Sequence, residues 1–187
     1  MCITESPTPV VATANLHWYA LRVFHHRTSE VMERLHDDGW RTYVAMRREE
    51  NVDIHYNDSR VKDVPVIPSL IFLQAPHDYV LSIYRSPVVP MRPYCTPGTS
   101  VPAIIPDAEM NTFIYVTSHC MERMDMVNPN LIKGDRVRVT EGIFRDQEGY
   151  ILRVHGTKRF VVVIEGVAAV ATSFIPGRFL QKLPPHS

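Results

Sequence analysis

The stretch GDRVRVTEGIFRDQEGYILRV, Gly134 to Val154, contains two short runs in which apolar and polar residues alternate. Between the runs lies a charged segment with two glycines, Gly142 and Gly149. Alternation with a period of two is typical of β-strands that bury one face, and glycine permits a sharp change of direction between them. The stretch therefore predicts two strands held around a charged loop.

Three further strand patterns follow, and the whole region lacks helical periodicity. The five segments are RVRVT, GYILRVHG, RFVVVIEG, AAVATSFI and FLQKL, with glycine or polar turns between them. The β-branched residues of RFVVVIEG favour a strand, whereas GVAAVA fits a strand or a helix. Five short strands bury a core by curling into a closed barrel, which removes exposed edges. We predict a β-barrel over 132–183 and a short tail at 184–187.

The first half of the chain alternates between strand and helix patterns. HWYALRVF at 17–24 predicts a strand because it is rich in aromatic and β-branched residues. RTSEVMERLHDDG predicts a helix capped by Thr28 or Ser29, with Val31 and Leu35 on one face. WRTYVAMRREE then predicts a second strand.

A polar loop from Asn57 to Lys62 separates that strand from DVPVIPSLIFLQAP, whose prolines lead into a buried strand at Leu70 to Gln74. HDYVLSIYRSP and PDAEMNTFIYVTSHCMERM predict two more helices. The second of them has an apolar stripe formed by Met110, Phe113 and Ile114. These elements predict an α+β sandwich, with helices packed on a mainly antiparallel sheet.

Two segments without periodicity set the predicted domain boundaries. The first fifteen residues are rich in Thr, Pro and Ala and predict a flexible N-terminal arm at 1–15. The segment 121–131 contains Asn-Pro-Asn and is interpreted as a linker. The α+β domain is therefore expected at 16–120 and the barrel at 132–183.

Composition narrows the functional classes. The chain has 187 residues with 20 basic and 20 acidic side chains, and from Lys133 onward it carries 9 basic against 5 acidic. This asymmetry is compatible with a nucleic acid or acidic partner, although a solvated surface is the commoner reason. The three cysteines form no CxxC pair, so no disulfide framework and no zinc site is predicted. No signal or membrane segment is evident, which makes a cytoplasmic location the expectation.

Catalytic patterns are not evident either. Ser29, His36 and Asp37 supply the residue types of a hydrolase, but the chain has no nucleophile elbow, P-loop or dinucleotide fingerprint. The adjacent His25 and His26 lack a nearby cysteine or acidic cluster and are a weak signal for a metal. We expect a protein that is not an enzyme and that needs no cofactor and no metal.

The stretch KGDRVRVTEGIFRDQEGYILRV resembles the KOW motif of ribosomal proteins and NusG-like elongation factors. HWYALRVFHHRTSEVMERL and DVPVIPSLIFL resemble the first strand, first helix and core strand of the NusG N-terminal (NGN) domain, and PAIIPDAEMNTFIYV resembles the UpxY-type specialised antiterminators. In the KOW resemblance the structural positions are Gly134, Gly142, Phe144 and Gly149, with Phe144 closing an SH3-like five-stranded barrel. A ribosome-associated or RNA-binding KOW protein is the alternative.

The resemblance implies a monomeric factor that binds RNA polymerase and holds its clamp closed, so that pausing and termination are suppressed. The matching polymerase-contact positions are Pro68, Leu70, Phe72 and Tyr19, with Leu70 the preferred contact and Trp18 a core residue. Aliphatic and aromatic residues on strands belong to the hydrophobic core more often than they contact a partner. The UpxY-type resemblance also implies that the factor acts on long operons, such as those for surface polysaccharide synthesis.

Two further surfaces follow from the resemblance. Positions that touch non-template DNA or nascent RNA match the basic set Arg22, His25, His26, Arg27 and Arg85, although such clusters often only solubilise a surface. The KOW partner surface, which binds a ribosomal protein or a termination factor, matches Ile164, Glu165, Gly166 and Val167. General NusG factors have an aromatic-Gly-Arg triplet there, so Glu165 puts binding to those partners in doubt.

Overall fold

The computed structural model describes residues 15–25, 27–53, 58–86, 90–120, 124–129, 134–172 and 174–184. The strands within these ranges form a four-stranded sheet, a two-stranded hairpin and a six-stranded sheet. Apart from residues 15 and 184, the predicted arm at 1–15 and tail at 184–187 lie outside the described residues.

The N-terminal half contains the four-stranded sheet, the hairpin and three helices. Its elements are β1 (Leu16–Val23), α1 (Thr28–Asp37), β2 (Arg41–Tyr43), β3 (Met46–Asp53), β4 (Asp58–Pro65), β5 (Leu70–Pro76), α2 (His77–Arg85), β6 (Met91–Pro93) and α3 (Asp107–Ser118). The sheet has the order β2-β5-β1-β6, and every neighbouring pair is antiparallel. The predicted mixed fold with an antiparallel sheet and three helices is confirmed.

Several local predictions differ from the structure. The predicted polar loop at Asn57 to Lys62 is wrong from Asp58 onward, because this segment pairs along its length with β3. β6 was not predicted, since its three residues are too few to show alternation. The predicted caps are also absent: Arg27 occupies the N-cap position of α1 without a side-chain cap, and the Thr28 hydroxyl instead donates to the Pro68 carbonyl at 3.0 Å.

The four-stranded sheet buries both of its faces. One face of β1 presents Tyr19 and Leu21 to α1 and α2, whose buried residues include Val31 and Val80. The opposite face is covered by α3, whose Phe113 ring lies 5.2 Å from the Phe72 ring. Helices on both sides therefore leave the strand side chains little access to solvent.

The C-terminal half is a six-stranded antiparallel sheet of order β12-β8-β9-β10-β11-β7. Its elements are β7 (Asp125–Val127), β8 (Asp135–Val139), β9 (Glu148–Val154), β10 (Thr157–Ile164), β11 (Ala168–Ala171) and β12 (Leu180–Lys182). The five predicted strands are present, and β7 adds a sixth. β7 lies inside the segment interpreted as a linker, and it pairs with β11 through Val127 and Ala169. The segment interpreted as a linker thus contains a strand, whose three residues are too few to show a periodic pattern.

The two halves share one hydrophobic core. A single cluster joins Phe72 and Phe113 of the N-terminal half to Phe160 and Val162 of β10. At the edge of this contact the Tyr115 hydroxyl donates to the Ile143 carbonyl at 2.9 Å. α3 therefore packs against both the N-terminal sheet and the C-terminal sheet.

Candidate functional site

The structure separates the four residues that were candidates for polymerase contact. Leu70 and Phe72 lie on the face of the sheet beneath α3 and are 3% and 1% exposed. Tyr19 points to the opposite face, where its hydroxyl lies 2.9 Å from Nδ1 of His77. Burial raises the pKa of the Tyr19 phenol. Only Pro68, which precedes β5, is exposed in this conformation.

The candidate basic residues lie in two segments, one from the end of β1 to the start of α1 and one at the end of α2. Arg22 is exposed near the end of β1, and His25 and Arg27 follow it before α1 begins. Arg85 is exposed at the last position of α2. His26 lies outside the described residues.

Arg92 is a basic neighbour that the sequence analysis missed. β6 pairs with β1 so that Arg92 stands directly opposite Arg22. Residues directly opposite each other in an antiparallel pair project from the same face. Arg92 could be recognised only from the pairing of β6 with β1. The sequence of a three-residue strand does not reveal that register.

Arg27 differs from Arg22 in having an acidic partner. Its Nε donates to Oε2 of Glu30 at 2.6 Å, and a second hydrogen bond joins the same two groups. The hydrogen bonds raise the pKa of the Arg27 guanidinium and lower the pKa of the Glu30 carboxyl. Because Glu30 lies in the first turn of α1, its negative charge also weakens the attraction of that helix N-terminus for phosphate. Arg27 is thus a poorer phosphate ligand than its sequence position suggests.

The turn after β10 holds the candidate partner surface of the C-terminal half. Ile164 is 1% exposed and belongs to the core, whereas Glu165 and Gly166 are exposed and Val167 is half-buried. Gly166 has φ of 67°, a left-handed conformation that favours glycine at the turn. The surface that a partner could touch therefore excludes the Ile164 side chain.

Glu165 also lines a cleft of about 870 Å³ between α3 and the C-terminal sheet. Glu109 and Thr112 line it from the helix, and Glu148 and Tyr150 from the sheet. Arg138 and Arg136 form ion pairs with Glu148, and the Arg138 hydrogen bond is the main reason that the Glu148 pKa is lowered.

Each glycine of the opening stretch lies where a side chain would clash with the backbone or where the backbone adopts a left-handed conformation. Gly142 has φ of 89° in the loop between β8 and β9. A Cβ on Gly134 would lie 2.6 Å from the Ile151 carbonyl oxygen, and one on Gly149 would lie 2.5 Å from that of Val161. Phe144 is buried and stacks on Phe160 with ring centroids 6.2 Å apart.

His36 and the possible metal ligands were the remaining candidates from the sequence. Nε2 of His36 lies 2.9 Å from the Thr42 hydroxyl, on the exposed side of α1. Within the described ranges, no three His, Cys, Asp or Glu side chains lie close enough together to hold a metal ion. Nor is any helix of the described chain long and apolar enough to cross a membrane.

Comparison with known families decides the assignment of the N-terminal half. A sequence model of NusG, described as transcription termination factor nusG, matches residues 16–114, which is more than half of the chain. The chain belongs to the NusG family. NusG proteins are non-enzymatic transcription factors that bind RNA polymerase, and the matched range runs from β1 into α3. No curated protein sequence matches the chain.

Because it belongs to the NusG family, this chain is a transcription elongation or antitermination factor. The prediction of a NusG-like transcription factor is confirmed at this level. The NusG match ends within α3, so the C-terminal sheet stands outside it.

Proposed function

We propose that this NusG-family chain binds RNA polymerase through the domain at 16–120 and suppresses pausing and termination. The match of the family to the N-terminal sheet and its helices carries this proposal. We further propose UpxY-type specialisation for long operons such as those for surface polysaccharide synthesis, supported by the sequence PAIIPDAEMNTFIYV around the start of α3. The protein would act as a cytoplasmic monomer.

The mechanism is a population shift of the polymerase clamp. A bound factor favours the closed clamp only by the difference between its affinities for the closed and open states. A preference of about 1.4 kcal/mol changes the ratio of the two states ten-fold. In this proposal the polymerase contacts Pro68 and three half-buried residues. These three pack against the core cluster that contains Leu70 and Phe72, and they are Tyr43, Ile67 and Tyr94. Leu70 and Phe72 would join the contact only if α3 moved away.

Capture on the tagged full-length chain tests the proposal. We expect purified core polymerase to be retained and ribosomes not to be. Pro68→Glu should lower the polymerase affinity about ten-fold, because a charge at an apolar contact must be desolvated. Met126→Glu is the matched control, since Met126 is exposed in the C-terminal sheet. Retention of ribosomes without polymerase would replace this proposal with the ribosome-associated KOW protein.

We propose that residues 132–183 form a KOW domain, with β7 added at its edge. The sequence around Gly149 and the close approach of Gly149 to Val161 support this. In this domain Glu165 would prevent the general family partners, a ribosomal protein and a termination factor, from binding. A carboxylate loses favourable hydration on entering an apolar partner pocket, and no basic group is implied there to offset the loss.

Glu165→Phe combined with Val167→Arg should therefore increase the affinity for a purified termination factor by at least ten-fold, because an aromatic anchor buries a large apolar area. Glu165 is exposed and Val167 is half-buried against the core, so urea unfolding of the double variant accompanies the binding measurement. Glu165→Gln is the control that removes charge without adding an aromatic ring. Wild-type protein that binds the termination factor tightly and stimulates termination would contradict the antiterminator proposal.

The basic residues supply the proposed nucleic-acid contact. We assign the contact with non-template DNA or nascent RNA to Arg22, His25, His26, Arg27 and Arg85, as the family motif implies. The geometry ranks Arg22 above Arg27, whose guanidinium is already paired with Glu30.

A further inference from the structure

The outer face of the C-terminal sheet is apolar, although its inner face already supplies a core. Alternation along β10 places Phe160 on the inner face, in the core shared by the two halves, and Val161 on the outer face. Half-buried Tyr150 and Val163 belong to the same outer cluster as Val161. An antiparallel sheet with one solvated face usually presents polar residues there. The half-buried apolar residues of the outer face are therefore suited to contact with a partner.

This apolar face continues into the cleft of about 870 Å³ beside α3. Tyr150 and Val163 belong to the sheet wall of the cleft, and Ala108 and Thr112 belong to the helix wall. Clefts of about 300–1,000 Å³ are the usual size for ligand sites. Because each half of the chain supplies one wall, the site is complete only while α3 lies against the C-terminal sheet. We call it the α3 cleft.

The rim of the α3 cleft is acidic. Among the described residues, four carboxylates and one guanidinium line it, namely Glu109, Asp146, Glu148, Glu165 and Arg136. Glu148 is paired with Arg136 and Arg138, and Oδ2 of Asp146 lies 3.7 Å from Nε of Arg145. Glu165 forms no ion pair within the part of the chain that the structure describes. A cation on an occupant of the cleft would therefore supply the partner that Glu165 lacks.

The sheet wall of the α3 cleft offers side chains rather than free backbone groups. β9 lies between β8 and β10, and β10 lies between β9 and β11, so both strands are paired on both sides. An extended peptide cannot add a strand at this wall, and an occupant must satisfy its own backbone groups. An α-helix does so, and it can lay an apolar stripe on an apolar wall.

We propose that the α3 cleft binds a basic amphipathic helix of a partner protein. The apolar stripe of that helix packs on Tyr150 and Val163, and a lysine or arginine of its polar face pairs with Glu165. The inference goes beyond the proposed function, because it assigns a partner chemistry to a site that both halves build. Its test uses neither polymerase nor a termination factor. Failure of this test and failure of polymerase capture are thus separate results.

Fluorescence anisotropy measures the binding of a labelled model helix to the full-length protein. The probe is a peptide of about 18 residues, long enough to be helical, made of leucine and lysine with all leucines on one face. In a second peptide glutamate replaces every lysine, and in a third the residues of the probe are rearranged so that leucines surround the helix. We expect one-to-one binding of the probe, with both other peptides binding about ten-fold more weakly or less.

Ala108→Trp should block the α3 cleft. Ala108 is exposed on α3 and lines the cleft, so an indole there would occupy the space that the probe needs. We expect the affinity for the probe to fall about ten-fold or more, as a clash built against a partner does. Asn111→Trp is the matched control, since Asn111 is exposed on the same helix and does not line the cleft.

Two milder variants separate the charge from the apolar contact. Glu165→Gln should weaken binding about three-fold and reduce its salt dependence, as loss of one exposed ion pair does. Glu141→Gln makes the same change at an exposed residue outside the cleft and should have no effect. Val163→Thr should weaken binding about ten-fold at every salt concentration, because the hydroxyl must be desolvated. Val154→Thr is its control, since Val154 lies on the outer face but not in the cleft.

Three outcomes would overturn the proposal. Equal affinities for the lysine and glutamate peptides would show that the acidic rim selects nothing. Equal losses in Ala108→Trp and Asn111→Trp would place the probe outside the cleft. Wild-type affinity in both Glu165→Gln and Val163→Thr would remove the two proposed contacts. Urea unfolding of each variant ensures that the affinities belong to folded protein.

Discussion

Replacing Gly149 by alanine should strongly destabilise the C-terminal sheet. A Cβ at this position would lie 2.5 Å from the Val161 carbonyl oxygen and 2.7 Å from Cε2 of Phe160. Real Cβ atoms do not approach so closely, so either β9 and β10 must separate or the Phe160 ring must move. The ring is fully buried and stacked on Phe144, which leaves it little freedom. Overpacking of this kind costs about 3 kcal/mol when the backbone itself is one of the obstacles.

Urea unfolding monitored by circular dichroism measures the loss, as a lower midpoint for the transition of the C-terminal sheet. Gly177→Ala is the matched control, because a Cβ on Gly177 would meet no atom within 4 Å. We expect the control to unfold with the wild-type midpoint. If Gly149→Ala unfolds with that midpoint too, β9 and β10 do not pack as closely in solution as in this structure.

The sequence identified the glycine but not its neighbour. Alternation on either side of Gly142 and Gly149 predicts two strands, because a sheet that buries one face imposes that period locally. The atom that excludes a side chain at Gly149 belongs to Val161, and it is brought there by pairing of Tyr150 with Val161. Such a contact depends on strand register, which no local pattern encodes.

The same distinction explains the successes and errors elsewhere. β1, β5, α1 and α2 each carry enough apolar residues to be recognised from their own sequence, and each was predicted. β6 and β7 have three residues each and are held by their partners, so their sequence shows no period. β4 is polar where it was predicted to be a loop, and Val61 and Lys62 are exposed within it. Backbone pairing with β3 defines this hairpin.

The candidate site shows what local patterns omit. Tyr19, Leu70 and Phe72 were grouped by motif, but alternation along β1 and β5 places Tyr19 on the face opposite the other two. The sequence shows that Leu70 and Phe72 share a face, but it shows neither the register that pairs Tyr19 with Leu73 nor which face a helix covers. α3 follows β5 by some thirty residues and decides the burial of Phe72, just as β6 decides the neighbour of Arg22.

Phe72→Ala should destabilise the N-terminal half by about 4 kcal/mol, the typical cost of removing a buried aromatic ring. Phe72 is 1% exposed and packs on Phe113 of α3, so its loss leaves a cavity between the sheet and the helix. Because the same cluster continues to Phe160, the C-terminal sheet should lose stability as well. Urea unfolding followed by circular dichroism measures both effects.

Phe24→Ala is the matched control, since it makes the same chemical change at a ring that is 37% exposed and outside the clusters. We expect it to cost less than about 1 kcal/mol, as is usual for surface positions. Polymerase capture by both variants then shows whether Phe72 is a core residue or contacts the polymerase directly. If Phe72→Ala is as stable as Phe24→Ala but no longer retains polymerase, α3 leaves the sheet in solution and Phe72 meets the polymerase directly. If Phe72→Ala loses stability and its remaining folded fraction binds normally, the ring acts through α3 and the polymerase contact lies at the exposed rim around Pro68.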